Sequence, residues 1–458
     1  MKKKISLFSA TCMAIGTIVG AGVFGTIPSA ASMVGNGIEW AYIIALLSII
    51  LCYLPQLVTI SVLPAPFTVY MHSTRMVSPV IGYIQVIYGF NYVFILAAIT
   101  RTFAQYAAVY IPIDQRILGI MALLIFAFIT GRGVETNTRV QNFMVVCLFI
   151  SLAMYIVLGM PHLDGNLVSI GSVAAPKNMS IVALGSAVAL LSSSLQGGIS
   201  IAFYPDEIKN PGRNVPLGFI LSTGICCFTF MLVSIITIGV IPLDQVDSLL
   251  DVAKLVLTKP QYHFFICAGA IFATLSSLNG VFVAGGHVGS AVAEDKVVTD
   301  WFGKLNKNHV PSNTVWLLAI VSAVLVGFGF NIGTLLTAYS LLNLFCLLVL
   351  FIPANKVHKL YPHTFKHASF TMNPRITMVM SIFGVVFCIW QIISTCITLN
   401  RGMIITIIVW YVAWYAFYFY RRASLKKKGF DLNKQMSEPY ASWVETEAKY
   451  AAQDAKEE

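Results

Sequence analysis

Gly16-Thr17-Ile18-Val19-Gly20-Ala21-Gly22-Val23-Phe24 decides how the rest of this chain is read. It sits inside an apolar run from Leu7 to Val34, long enough to cross a bilayer. A spanning helix must satisfy its backbone groups internally, so three glycines at its centre are a local weakness. Where such a helix opens, N–H groups at a positive dipole end face the cavity and make a carboxylate site from backbone alone. The competing reading is packing. Gly16 and Gly20 stand four residues apart, the spacing by which small residues let two helices approach closely. This segment alone leaves the two readings even.

Outward from it, the chain is 57% hydrophobic and only 10% charged over 458 residues. A soluble globular protein carries about 25% charge. This is the composition of an integral membrane protein. Apolar segments of spanning length recur near 7–34, 38–63, 80–110, 115–131, 140–160, 180–205, 214–242, 261–291, 313–330, 333–353, 374–398 and 402–420. Twelve crossings put both termini on one side. Of the 29 Lys and Arg, only Arg116, Lys177, Lys254, Lys259 and Arg401 fall in loops of the other side, and Arg101 lies within a helix. That asymmetry is the positive-inside pattern, which predicts cytoplasmic termini and a plasma or inner membrane location. The net charge of +10 is therefore topological and gives no reason to expect nucleic acid. Residues 1–420 are expected to form the membrane domain and 421–458 a polar cytoplasmic tail, of which Gly429–Glu458 is mobile or weakly helical. The nine cysteines form no Cys-x-x-Cys pair and read as small packing residues.

A second interruption is expected in the sixth segment, at Ser192-Ser193-Ser194-Leu195-Gln196-Gly197-Gly198. Two Gly-interrupted helices at corresponding places in two halves point to inverted repeats with a site near the membrane midplane. The repeats would cover about 7–160 and 180–353, with 374–420 as additional helices. The polar loop Pro205 to Pro216 follows, and its Asp206, Glu207, Lys209 and Arg213 suit either a solvated turn or an ion-paired latch.

These residues resemble the amino acid–polyamine–organocation superfamily of permeases. The resemblance rests on Gly16–Phe24 continuing to Pro28, on Tyr70 through Arg75 to Gly82, and on Asp206-Glu207-Ile208-Lys209-Asn210-Pro211 with Arg213-Asn214-Val215-Pro216. Ala293-Glu294-Asp295 to Val310-Pro311, with Trp301-Phe302 between, is the fourth matching segment. The resemblance implies an all-α, LeuT-type fold of twelve helices, five plus five in inverted repeat, with helices 1 and 6 discontinuous. It implies transport by alternating access. The substrate carboxylate would meet backbone amides around Ile18, Gly20, Ala21 and Gly22. The amino group would face the turn containing Ser193, Ser194, Gln196 and Gly197.

The chain departs from the family pattern in three places. Serines 193 and 194 stand where a bulky aromatic often closes over substrate, so the pocket is more open or another aromatic closes it. Leu148 stands where many members carry a lysine tied to proton coupling. His287 stands near a position often basic, and reads either as a proton-responsive group or as a packed histidine.

Ionisable groups at membrane depth are costly and so become functional candidates. Arg101 is the clearest, as a partner for a substrate carboxylate, as an outer latch, or as a snorkelling cation. No Asp or Glu falls in the central part of the helices placed at the pocket. A cation would want a buried carboxylate, so a neutral amino acid is the expected substrate and a polyamine or organic cation the alternative. Exchange and symport both remain open. Sodium would use Thr274, Ser276 or Ser277 with carbonyls near the first break, and a proton would need another group. No zinc-protease motif, P-loop or nucleophile elbow is present, and no cofactor or metal site is expected. A nutrient sensor that binds without moving substrate is the rival class. The chain is expected to work in lipid as a monomer or weak dimer.

Overall fold

The computed structural model describes residues 4–132, 138–165, 167, 180–242 and 245–457, without the side chains of 20, 21, 36 and 138–141. Among the described residues, ten helices are long and apolar enough to cross a membrane. Two more, Gln115–Gly131 and Ser312–Gly327, are apolar but shorter. In chain order these twelve are α1 (Leu7–Phe24), α2 (Ile38–Val62), α3 (Pro79–Ala107), α4 (Gln115–Gly131), α5 (Thr138–Gly159) and α6 (Ile181–Phe203). There follow α7 (Pro211–Val240), α8 (Lys259–Glu294), α9 (Ser312–Gly327), α10 (Ile332–Leu360), α11 (Pro374–Thr398) and α12 (Arg401–Lys427). The one extended pairing among the described residues is an isolated bridge between Ile5 and Ile208.

The first helix lies at the centre, packed on α7, α8 and the second half of α6. The last two helices are peripheral, with 28% and 17% of their apolar windows buried. Their outward residues, such as Ile382, Phe383, Ile405 and Val412, are exposed because the surface they need is lipid.

The expected break in helix 1 is displaced. The chain is helical through all of Leu7–Phe24, and the interruption falls at Gly25, before a second helix at Thr26–Val34. The reason is local satisfaction. Within hydrocarbon an opened turn would leave amides and carbonyls without partners, and Gly22 of this run instead serves close approach. An added Cβ at Gly22 would lie 3.2 Å from Phe230 and 3.7 Å from Ser194 Cβ. Gly25, at φ −107°, separates the two helical segments, and Gly35 ends the second at φ 57°.

The sixth helix changes winding at the predicted place. It is α-helical from Ile181 to Leu195 and continues as a 3-10 helix over Gln196–Phe203. Gly197 and Gly198 begin this tighter stretch, where i and i+3 side chains eclipse and small residues relieve the crowding. The eighth helix carries a π-helical turn at Phe265–Ile271.

The tail also differs from expectation. α12 runs on to Lys427, and short and long helices follow at Leu432–Ser437 and Ala441–Glu457. Trp443, Glu447, Tyr450 and Asp454 recur at helical spacing along one face, and that face meets the bundle.

Candidate binding cavity at the helix breaks

A small cavity of about 40 Å³ lies where α1 and the rewound part of α6 meet. Thr17, Ile18 and Gly22 line it from α1, Thr26 from just past the break, and Ser193, Ser194, Gly197, Ile199 and Ser200 from α6. Tyr88, Tyr92, Ile95 and Ile99 of α3, Val281 and Ala284 of α8, and Leu336 and Tyr339 of α10 complete the lining. None of these lining residues carries a charge.

The two interrupted helices are joined at the cavity edge. The Thr17 hydroxyl lies 2.8 Å from the Ala14 carbonyl and 3.0 Å from the Gly197 carbonyl, and Ser200 donates to Thr17 Oγ1 at 3.3 Å. A Cβ at Gly197 would sit 2.9 Å from the Thr17 carbonyl oxygen, so only glycine permits this approach. On the far side of α1, Ser277 donates to the Gly16 carbonyl.

Five of the residues singled out by sequence come together here: Ile18, Gly22, Ser193, Ser194 and Gly197. Gly20 and Ala21 fall outside the residues whose side chains are described. Gln196 turns away from this cavity and lines a second, smaller one with Ser48, Tyr53, Ser192, Ser340, Asn343 and Gln391. Its Oε1 accepts the Tyr53 hydroxyl, so its amide steadies the winding change from behind.

Arg101 does not line the cavity, although Ile95 and Ile99 of the same helix do. Asp114 and Arg116, at the start of α4, are the charges acting on it. His287 packs 5.4 Å from the Tyr204 ring with Nε2 3.9 Å from Glu207 Oε1, away from the cavity. Thr274 donates back to the Ala270 carbonyl at 2.8 Å, and Leu148 is buried in α5.

Sequence reasoning missed the aromatic wall. Tyr88, Tyr92, Ile95 and Ile99 stand at i, i+4, i+7 and i+11, a stripe that periodicity exposes once one face is known to line a cavity. Tyr339 had no such signal, because α10 is apolar nearly all round. These tyrosines line the same cavity as Ser193 and Ser194, where an aromatic was missing.

Below the cavity, at the end of the bundle carrying both termini, the chain is closed in layers. Ile5 N–H donates to the Glu207 carbonyl at 2.8 Å, and Lys209 N–H to the Ile5 carbonyl at 3.0 Å. Phe67, in the left-handed region at φ 44°, donates its N–H to the Phe203 carbonyl at 3.1 Å, and Thr68 donates to the Ala202 carbonyl at 2.6 Å. Arg75 Nη2 donates to both Asp295 carboxylate oxygens, at 3.0 and 2.9 Å, and Tyr70 donates to Asp295 Oδ2 at 2.6 Å. Both charged side chains are at most 7% exposed. At the other end a wider, more polar space is lined by Ser29, Ser32, Asp247, Asn331, Thr334, Thr337 and Asn400.

A family described as amino acid permease matches residues 5–419. The chain is 23% identical to the methylthioribose transporter of Bacillus subtilis, over 86% of this chain and 88% of that protein. It is 21% identical to the branched-chain amino acid permease BcaP of the same organism, over 92% of this chain and 93% of that one. An uncharacterized protein of Methanocaldococcus jannaschii is 26% identical, covering 66% of this chain and 71% of its own.

Proposed function

We propose that this chain, which belongs to the amino acid permease family of the amino acid–polyamine–organocation superfamily, carries a neutral amino acid across the membrane by alternating access. The observation that carries the reading is the uncharged cavity at the junction of α1 and the rewound α6. An α-amino acid brings a carboxylate and an ammonium that neutralise each other in net charge but need separate partners. The carboxylate is assigned to the α1 side, at Ile18–Gly22 and the positive end of the helix beginning at Thr26. The ammonium is assigned to carbonyls of the Ser193–Gly197 turn, where the α-helix gives way to 3-10 winding. The amides of Ile18, Gly20, Ala21 and Gly22 lie within a helical run, so the free N–H groups nearest this side of the cavity are those of the helix that begins at Thr26.

The side chain then faces Tyr92, Ile95, Ile99, Val281, Ala284 and Leu336. This wall suits an apolar side chain and offers no carboxylate to a cation. Two relatives that span most of the chain are named for a branched-chain amino acid and for methylthioribose, both uncharged overall. The twelve helices are read as twelve crossings in a LeuT-type pair of inverted repeats. Both termini are placed in the cytoplasm by the positive-inside pattern.

Uptake into liposomes by the purified protein tests the reading. Radiolabelled leucine, valine, arginine and putrescine are compared with empty lumen, preloaded lumen, a proton gradient and a sodium gradient. Saturable uptake of a neutral amino acid is expected. Stimulation by preloading alone identifies an exchanger, and gradient-driven uptake identifies the coupling ion. Tight binding of every neutral amino acid with no flux under any condition overturns transport in favour of sensing.

A further inference from the structure

The C-terminal helix is built into the closed end of the bundle, and its contacts lead to the cavity without a gap. Trp443 is 2% exposed. Its indole N–H donates to the Pro64 carbonyl at 3.1 Å, and its ring lies 5.4 Å from that of His72. His72 in turn hydrogen-bonds the Leu63 carbonyl at 2.8 Å. The same turn delivers Phe67 and Thr68 to the carbonyls of Phe203 and Ala202. Those carbonyls belong to the 3-10 segment whose other end, Gly197 to Ser200, lines the cavity.

The helix is fastened independently to the loop after α10. Glu447 accepts the N–H groups of His363 and Thr364 at 3.0 and 2.8 Å and the Thr364 hydroxyl at 2.6 Å, capping the short helix Pro362–His367. Asp454 accepts from His363 at 2.7 Å, Lys366 at 2.8 Å and His367 at 2.9 Å. Leu432 and Met436 of the preceding short helix are buried against Thr68–Met76 and Pro79–Gly82. A solvated polar tail needs none of this. Burying an indole on one carbonyl and a carboxylate on three donors sets a defined position.

We propose that Trp443 and Asp454 are positioning residues for the inner gate: the C-terminal helix clamps the turn after α2 against α6 and sets how readily that end opens. The proposal rests on the alternating-access reading for its role in transport, but the clamp itself is read separately.

Hydrogen exchange on the purified full chain tests it, with Trp443→Ala and, should that variant fail to fold, Asp454→Asn. Release of the clamp is expected to speed exchange about tenfold in residues 63–76 and 196–208, not only in 441–457. Residues 331–337, at the opposite end, are expected to keep their protection, and substrate affinity its wild-type value. Maximal flux is expected to change at unchanged KM. Faster exchange confined to 362–367 and 441–457, with wild-type flux, overturns the clamp. If the wild type carries nothing yet 63–76 and 196–208 still respond, transport fails and the clamp stands.

Discussion

Gly197 shows how the absence of a side chain holds two helices together. An added Cβ would stand 2.9 Å from the Thr17 carbonyl oxygen, and neither backbone has room to yield. Gly197→Ala is expected to destabilise the protein by about 1–3 kcal/mol, in the range of overpacking, and to lower its melting temperature in detergent. Gly22 differs in consequence. Its neighbours are the Phe230 ring edge and Ser194 Cβ, and it lines the cavity. Gly22→Leu is therefore expected to abolish binding while the protein still inserts, so retained uptake would remove α1 from the proposed site. Arg101→Ala is expected to leave KM unchanged, since Arg101 lies off the cavity wall. A raised KM would return it to the substrate. Ser193, Ser194 and Gly197 were legible because small and polar residues clustered inside an apolar segment weaken the helix and give lipid nothing to hold. Tyr339 was not, because nothing in an all-apolar helix marks which face meets a cavity.

Among elements, two stretches that looked separate in sequence prove to be one device. Tyr70 to Gly82 and Ala293 to Asp295 each matched a family segment, and the structure joins them through Arg75, Asp295 and Tyr70. Sequence could not pair them, because more than two hundred positions separate Arg75 from Asp295. Asp295→Asn removes one charge of a buried pair and leaves Arg75 uncompensated. A loss of roughly 3–5 kcal/mol from the state closed at this end is expected. Faster hydrogen exchange at 70–76 is the check, and unchanged protection would make the pair incidental. The break in helix 1 was legible as a tendency but misplaced, because glycine spacing alone does not separate unwinding from close packing. The tail was legible only as a weak helical tendency for a different reason: its average polarity hid the stripe of Trp443, Glu447, Tyr450 and Asp454. Hydrogen bonds from Lys366, His363 and His367 hold the Asp454 carboxyl well below the usual carboxylate range. The folded pKa is depressed, so this contribution is present at neutral pH and is lost only as pH falls through that lowered value. Acidification from pH 7 to about 5 is therefore expected to leave Asp454 ionised, read by infrared absorption of its carboxylate against Asp454→Asn.

The whole molecule is a multi-pass membrane permease with an uncharged cavity between a layered closed end and a wider polar space. Charge balance then governs what it can carry. A zwitterion brings both its charges to backbone groups and asks nothing of the side-chain wall. Arginine or putrescine would bring an extra cation to a wall of Tyr92, Ile95, Ile99, Val281, Ala284 and Leu336, and its desolvation would cost several kcal/mol unpaired. Placing one carboxylate in the cavity should reverse that preference. Ser194→Asp does so at a half-buried position whose hydroxyl now bonds only the Leu191 carbonyl within its own turn. The ammonium that a neutral amino acid brings to this turn is already offset by its own carboxylate, so a zwitterion leaves the site with one negative charge in excess and neutral uptake is expected to fall. A cationic amino acid supplies the missing charge, and competition by arginine or lysine is expected to appear where the wild type shows none. Competition by arginine in the wild type, at the affinity of leucine, would mean that the neutral wall does not set selectivity.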